Sequence, residues 1–215
     1  MASWEKVSEQ EVLDLVKRGE YRRVKDLAVD ELSEAFDIEN VEPISLEVSD
    51  KASAEIKERK VVIPDHVNDA EPDRFSKEYV QGSIIFHEVA HILAEDAFRS
   101  ETGERRDSTG DLTLWNCVAD EMLASISCWG EKWSFQRGEE IGEEKMKQDL
   151  DTEEEEILLF HALGYRLSEY ASKEDVRPSR LVRMSYTELR QEFNDTFAQI
   201  KDEVEERHET SIQFV

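Results

Sequence analysis

The segment between residues 73 and 98 most constrains the fold of this chain. Its apolar residues recur at the spacing of a helix face, so we predict one helix from after Asp73 to about Phe98. His87 and His91 lie four residues apart on it, and residues at this spacing share one side of a helix. The sequence therefore predicts a long helix that points two imidazole rings in the same direction. The apolar positions are Tyr79, Val80, Ile84, Ile85, Val89, Ile92 and Leu93.

The residues His87-Glu88-Val89-Ala90-His91 have the spacing of a catalytic zinc site. Imidazole nitrogen is a good zinc ligand, and catalytic zinc sites use three protein ligands and keep one position for water. Glu88 lies about 100° round the helix from His87, where it can reach that water without being a ligand. We therefore predict Zn²⁺ bound by His87 and His91, with Glu88 as the general base.

A third metal ligand is expected on the following helix, which we predict from about Leu112 to Trp129. The preferred candidate is Asp120, which lies beside the apolar stripe of this helix. Glu121 is the alternative and Cys117 is a weaker third choice. An acidic residue in this position is also consistent with a structural role at the polar edge of an amphipathic helix, without binding metal. The stripe consists of Leu112, Trp115, Ala119, Met122, Ile126 and Trp129, at spacings of three and four.

Attack of zinc-bound water on a carbonyl group also requires a donor that stabilises the negative charge developing on the carbonyl oxygen. His161 and Tyr165 lie four residues apart on one predicted helix and can supply it. The same helix carries several large apolar residues, so His161 and Tyr165 are also consistent with a purely structural role on a buried face of this helix. We keep both as catalytic candidates.

The His-Glu-x-x-His pattern resembles the zincin superfamily of metallopeptidases. The segment from Leu114 to Asp120, with sequence LWNCVAD, is similar to a second motif in predicted metallopeptidases associated with von Willebrand factor A-type domains. This resemblance covers about residues 80–125 and implies a zinc peptidase acting on protein or peptide substrates. It implies Asp120 as the third ligand and Asn116 as a residue that supports the site. The chain carries no von Willebrand factor A-type module.

A weaker resemblance is to ImmA/IrrE-type peptidases, which also follow the zinc helix with an alanine-rich ligand helix. The glutamate that usually precedes Ala-Asn in that family would fall on Val118, so the pattern is broken there. Two alternatives to a general peptidase follow. One is a regulatory peptidase that cleaves a single repressor, and the other is a catalytically silent zinc-binding protein that keeps the fold.

The remaining patterns predict an α+β fold, a mostly helical zincin-like domain with a small sheet. We expect a single domain over residues 1–215, with N-terminal helices in 1–40 and an acidic connector with further helices in 130–215. Residues 41–129 hold the strands, the zinc helix and the ligand helix. Ser8 with Glu11, Thr152 with Glu155 and Ser185 with Glu188 have the capping-box spacing that begins helices. A small hairpin or two strands of one sheet are predicted where Ile44, Leu46 and Val48 alternate with polar residues and at Lys60–Pro64.

The charge of the chain restricts its partners. It carries 52 acidic and 27 basic side chains, a formal net charge of -25, yet 39% of its residues are hydrophobic, which is enough to build a core. Such charge repels nucleic acids and anionic membranes and is typical of proteins in concentrated salt. With no apparent signal peptide or membrane span, we predict a cytoplasmic, halophilic protein. The basic stretch Arg177–Arg183 is expected to make a protein contact or internal ion pairs rather than to bind DNA.

Overall fold

The computed structural model of the chain describes residues 8–50, 52–65, 76–106, 114–126 and 152–208. Within these ranges the side chains of residues 114, 152–162 and 204–208 are not described. The predicted connector of residues 130–151 lies outside the described residues. The elements are α1 (Glu9–Lys17), α2 (Tyr21–Ala35), β1 (Ser45–Ser49), β2 (Ser53–Glu55), β3 (Lys60–Pro64), α3 (Lys77–Thr102), α4 (Leu114–Ser125), α5 (Thr152–Lys173), α6 (Pro178–Leu181) and α7 (Tyr186–His208).

The three strands form a small mixed sheet in the order β1-β3-β2. Strand β3 is central, parallel to β1 and antiparallel to β2. Its residues Val61, Val62 and Ile63 are buried, as expected for a short apolar run covered on both faces. The predictions of an α+β fold and of β1 and β3 as two strands of one sheet are confirmed, whereas a hairpin of these two strands is wrong because they are parallel. The sequence did not predict β2, because its three residues carry no alternating apolar pattern and its conformation depends on pairing with β3.

Helix α3 lies at the centre of the fold and contacts α1, α2, α4 and the strands β2 and β3. It begins after Ser76, whose hydroxyl accepts a hydrogen bond from the Tyr79 backbone N–H at 3.1 Å. Its end differs from the prediction, because the helix continues past Phe98 to Thr102. Polar residues do not by themselves stop a helix, whereas Gly103, with a φ of 75°, supplies the left-handed conformation that does.

Helix α4 packs against α3, α5 and α7. The predicted stripe is confirmed at Trp115, Ala119, Met122 and Ile126, which are all buried, while Leu112 and Trp129 lie outside the described residues. Val118, Glu121, Leu123 and Ala124 are buried as well. The helix is therefore covered on more than one side, and its apolar stripe does not show which acidic residue faces α3.

The predicted helix starts near the two termini agree with the structure. The Ser8 hydroxyl accepts a hydrogen bond from Glu11 N–H at 3.2 Å, which caps α1. Ser185 and Glu188 form the reciprocal capping box before α7, because the Glu188 carboxylate accepts a hydrogen bond from Ser185 N–H at 2.8 Å and the Ser185 hydroxyl accepts one from Glu188 N–H at 3.3 Å. Helix α5 begins at Thr152, whose side chain is not described. No helix formed by the described residues is long and apolar enough to cross a membrane.

The basic stretch around α6 makes internal contacts, as predicted. The Arg183 guanidinium donates hydrogen bonds to the carbonyls of Phe36 at 2.8 Å and Asp37 at 2.7 Å, where α2 ends. We expect Arg183→Ala to lower the free energy of unfolding by about 2 kcal/mol, because the variant loses these two charge-assisted hydrogen bonds together with a third, to the Ser179 carbonyl. Urea unfolding followed by circular dichroism measures this change.

Arg180→Ala is the matched control for this prediction. Arg180 pairs with Glu192 at 2.9 Å, but its side chain is 56% exposed, so its removal is expected to cost less than about 1 kcal/mol. Equal losses in the two variants would contradict a specific role of Arg183 at the end of α2.

Candidate metal centre

The two histidines of α3 converge on one point. Four residues of helix bring His87 and His91 onto the same side, and their Nε2 atoms lie 3.2 Å apart. Their rings are perpendicular, with centroids 4.7 Å apart. The orientation predicted from the i, i+4 spacing is therefore present.

Glu121 of α4 joins the two histidines. Its Oε2 lies 3.1 Å from the Nε2 of His87, and its Oε1 lies 3.6 Å from the Nε2 of His91. Among the described residues these three form a group able to hold a metal ion. Glu121 was the alternative candidate of the sequence analysis, and Cys117 is not part of the group.

The spacing of these atoms is close to that of the ligands of a tetrahedral zinc ion. Ligand bonds of about 2.0–2.1 Å at tetrahedral angles separate the ligand atoms by about 3.3 Å. The two histidine Nε2 atoms lie 3.2 Å apart, and each lies near a different oxygen of Glu121, at 3.1 Å for His87 and 3.6 Å for His91. Two imidazole nitrogens with one carboxylate are also a ligand set found in catalytic zinc sites. The residue types and their proximity therefore fit Zn²⁺.

The electrostatic surroundings of His87 favour positive charge. Burial alone lowers the pKa of this imidazole, but the hydrogen bond that it donates to Glu121 and the negative charges of Glu121 and Glu88 oppose this effect, and the net result is a raised pKa. His87, Glu88 and Glu121 are all buried. A site that stabilises a proton through two buried carboxylates also provides counter-charge for a divalent cation.

Asp120, the preferred third ligand of the sequence analysis, lies in a different cluster. Both of its carboxylate oxygens accept a hydrogen bond from the Tyr186 hydroxyl, at 2.9 and 2.8 Å, and one lies 3.9 Å from the Arg106 guanidinium. Consecutive residues on a helix diverge by about 100°, so Asp120 and Glu121 point in different directions from α4. The orientation of α4 directs Glu121 towards the histidines and Asp120 towards α7.

The Asp120 cluster contains two residues that sequence reasoning missed. The Arg106 guanidinium is buried and donates to the carbonyls of Ala94 at 2.9 Å and Val182 at 2.5 Å. Burial raises the pKa of Asp120 to about 6, although Arg106 and the hydrogen bond from Tyr186 oppose this. Burial, followed by the charge of Asp120, raises the pKa of Tyr186, so its hydroxyl remains a donor. Neither Arg106 nor Tyr186 lies in a sequence pattern that could have identified it.

A cleft of about 500 Å³ lies beside the metal centre. One side is formed by strand β2 and the turn that follows it, and another by His91, Ala94 and Glu95 of α3. Arg106, Asp120 and Tyr186 also line it. The side chain of His91 is 15% exposed, compared with 8% for His87. Access from the cleft to the metal centre is therefore on the His91 side.

The other predicted site residues have different positions. Tyr165 of α5 packs edge-on against the ring of His87, with centroids 5.9 Å apart and an interplanar angle of 73°. It is therefore close to the site, and its catalytic role stays a prediction. His161 lies on the same helix, but its side chain is outside the described part of the chain. Asn116 lies on α4 one turn before Asp120, and its supporting role also stays a prediction.

Comparison of the chain with models of protein families, with curated proteins and with solved structures gives no match. The resemblance to zincins therefore stays a prediction from the sequence motif.

Proposed function

We propose that this protein is a zinc-dependent peptidase whose metal ion is bound by His87, His91 and Glu121. The observation that carries the proposal is the convergence of two imidazole nitrogens and one carboxylate beside a cleft. Bound at these residues, zinc supplies a Lewis acid that polarises the substrate carbonyl and makes water acidic near neutral pH. Asp120 is accordingly not proposed as a ligand.

Glu88 is the proposed general base. It follows His87 directly in α3 and lies close enough to it to raise the pKa of the imidazole. A carboxylate in this position accepts the proton of the water that attacks the peptide carbonyl, and then delivers a proton to the leaving amine. Tyr165, which packs against His87, is a candidate donor to the oxyanion, and His161 remains a second one.

An extended peptide is the substrate that the cleft favours. Strand β2 pairs only with β3 among the described strands, so its other edge has backbone N–H and C=O groups available for pairing. Ala54 and Glu55 of this strand line the cleft together with His91. A peptide that adds to such an edge gains backbone hydrogen bonds and is held in register by the strand. This arrangement supports a protein or peptide substrate.

The cellular setting is also part of the proposal. A net charge of -25 favours a salt-rich cytoplasm, where screening reduces the repulsion among surface carboxylates. The same charge disfavours nucleic acid as a partner, because phosphates are repelled.

Hydrolysis of a peptide library by the zinc-loaded protein tests this function. We expect cleaved peptides detected by mass spectrometry, loss of cleavage on dialysis against a chelator, and recovery when Zn²⁺ is added back. Assays in both low and molar salt allow for a salt-adapted protein.

Three results of this assay have distinct meanings. Zinc binding without cleavage of any peptide would favour a silent zinc-binding protein and contradict the peptidase proposal. Cleavage of one protein alone would favour the regulatory form of the same enzyme. Cleavage that persists after complete removal of metal would contradict the metal mechanism.

A further inference from the structure

The contact between helices α4 and α5 contains a position where no side chain fits. Gly164 of α5 lies directly against α4, and a Cβ atom added to it would come within 2.4 Å of the Glu121 Cβ. The same atom would lie 2.9 Å from the Val118 carbonyl oxygen and 3.1 Å from the Met122 backbone nitrogen. These neighbours are backbone atoms and a Cβ, none of which can rotate away. Any larger residue would therefore have to separate the two helices.

Helix propensity does not explain a glycine at this position. Glycine inside a helix is about 1 kcal/mol less favourable than alanine, because its backbone is freer in the unfolded chain. Gly164 lies well inside α5, which extends from Thr152 to Lys173. The close approach to Glu121 is a physical reason for its presence that offsets this cost.

Helix α5 contacts two members of the candidate metal centre from consecutive residues. Gly164 meets the Cβ of Glu121, and Tyr165 packs against the ring of His87. The orientation of α4 decides whether Glu121 or Asp120 faces the histidines, and α5 lies against α4 at that residue. We propose that Gly164 is a positioning residue for the metal centre, because its missing side chain lets α5 hold Glu121 opposite His87 and His91.

This inference rests on the proposed metal centre and adds a residue that does not itself bind metal. A ligand displaced by even a fraction of an ångström loses tetrahedral geometry, and changes to residues that orient ligands cost about 10- to 100-fold in metal affinity. Gly164→Ala is therefore expected to weaken zinc binding at least tenfold. It is also expected to alter the visible absorption of the Co²⁺-substituted protein, which reports ligand geometry.

Gly19→Ala is the matched control. Gly19 lies between α1 and α2 with a φ of 68° and has no neighbouring atom within 4 Å of an added Cβ. Alanine there strains the backbone and lowers stability without touching the metal centre. We expect its zinc affinity and cobalt spectrum to equal those of the wild type. Comparison of the two alanine variants thus separates loss of stability from loss of ligand position.

Zinc affinity is measured by competition with a chromophoric chelator, and folding of the metal-free proteins by circular dichroism. A folded Gly164→Ala protein with wild-type affinity and cobalt spectrum would overturn the positioning role alone. A wild-type protein that binds no zinc would instead overturn the proposed function.

A double variant keeps the proposal testable when Gly164→Ala does not fold. Glu121→Gly removes the closest contact of the added methyl group, at 2.4 Å, but the Val118 carbonyl oxygen at 2.9 Å and the Met122 nitrogen at 3.1 Å remain. The Gly164→Ala/Glu121→Gly protein is therefore expected to fold better than Gly164→Ala without reaching wild-type stability. A double variant that folds no better than Gly164→Ala would locate the obstruction in the α4 backbone and overturn a role specific to Glu121.

Discussion

Glu121→Gln is expected to raise the Kd for zinc by about 100-fold or more. The substitution keeps the size of the side chain but removes the charge of a carboxylate whose oxygens lie 3.1 and 3.6 Å from the two histidine nitrogens. Loss of a direct ligand should cost at least as much as the upper end of the 10- to 100-fold range seen for residues that only orient ligands. Titration with a competing chelator measures the change.

Asp120→Asn is the matched control, because Asp120 is the neighbouring residue on α4. Like Glu121→Gln, this substitution replaces a carboxylate with an amide and removes one negative charge. The Asp120 carboxylate is hydrogen-bonded to Tyr186, so its loss is expected to change zinc affinity less than tenfold. The opposite order of effects would assign the third ligand to Asp120. Equal, small effects would show that neither carboxylate binds the metal.

Glu88→Gln is expected to lower kcat by about 10²- to 10⁴-fold while the protein keeps its zinc. A general base contributes rate enhancement of this size, and glutamine cannot accept the proton. Glu88 is not one of the three residues that form the proposed metal site, so the zinc content of the variant should remain near that of the wild type. Hydrolysis rates at saturating substrate, with zinc measured by atomic emission on the same samples, test both statements.

Glu101→Gln is the control for this variant. It changes the same residue type on the same helix, but the Glu101 side chain is 65% exposed and is remote in sequence from the motif. Its kcat and zinc content are expected to be unchanged. Wild-type activity in Glu88→Gln would remove this residue from the mechanism, and loss of zinc from it would indicate that Glu88 is a ligand.

Much of the helical framework could be predicted from local patterns. Ser8 and Ser185 cap helices through residues three positions further along, and this interaction depends on local spacing alone. Helix α3 ends four residues later than the polar composition after Phe98 indicates. Polar residues are compatible with a helix, and α3 ends only where Gly103 adopts the left-handed conformation. Strand β2 could not be predicted, since three residues without alternation become a strand only beside β3.

The residues around Asp120 illustrate a second limit of local patterns. Arg106 lies in a polar segment after α3, yet its guanidinium is buried among carbonyls of α3 and of the chain after α6. Val182 is 76 residues away in sequence. No periodicity connects two such positions, so only the packed structure shows that this arginine belongs beside Asp120 and Tyr186.

The sequence by itself predicted that His87 and His91 lie on the same side of one helix, because a spacing of four residues brings two side chains to one side whatever surrounds them. It also placed Glu88 beside them. Only the tertiary structure shows that Glu121, and not Asp120, lies beside the two histidines, since these adjacent residues point about 100° apart and their directions depend on the rotation of α4. That rotation depends on packing against α3, α5 and α7, with Gly164 lying directly against Glu121. Two members of the proposed metal site follow from helix geometry, and the third follows from helix packing.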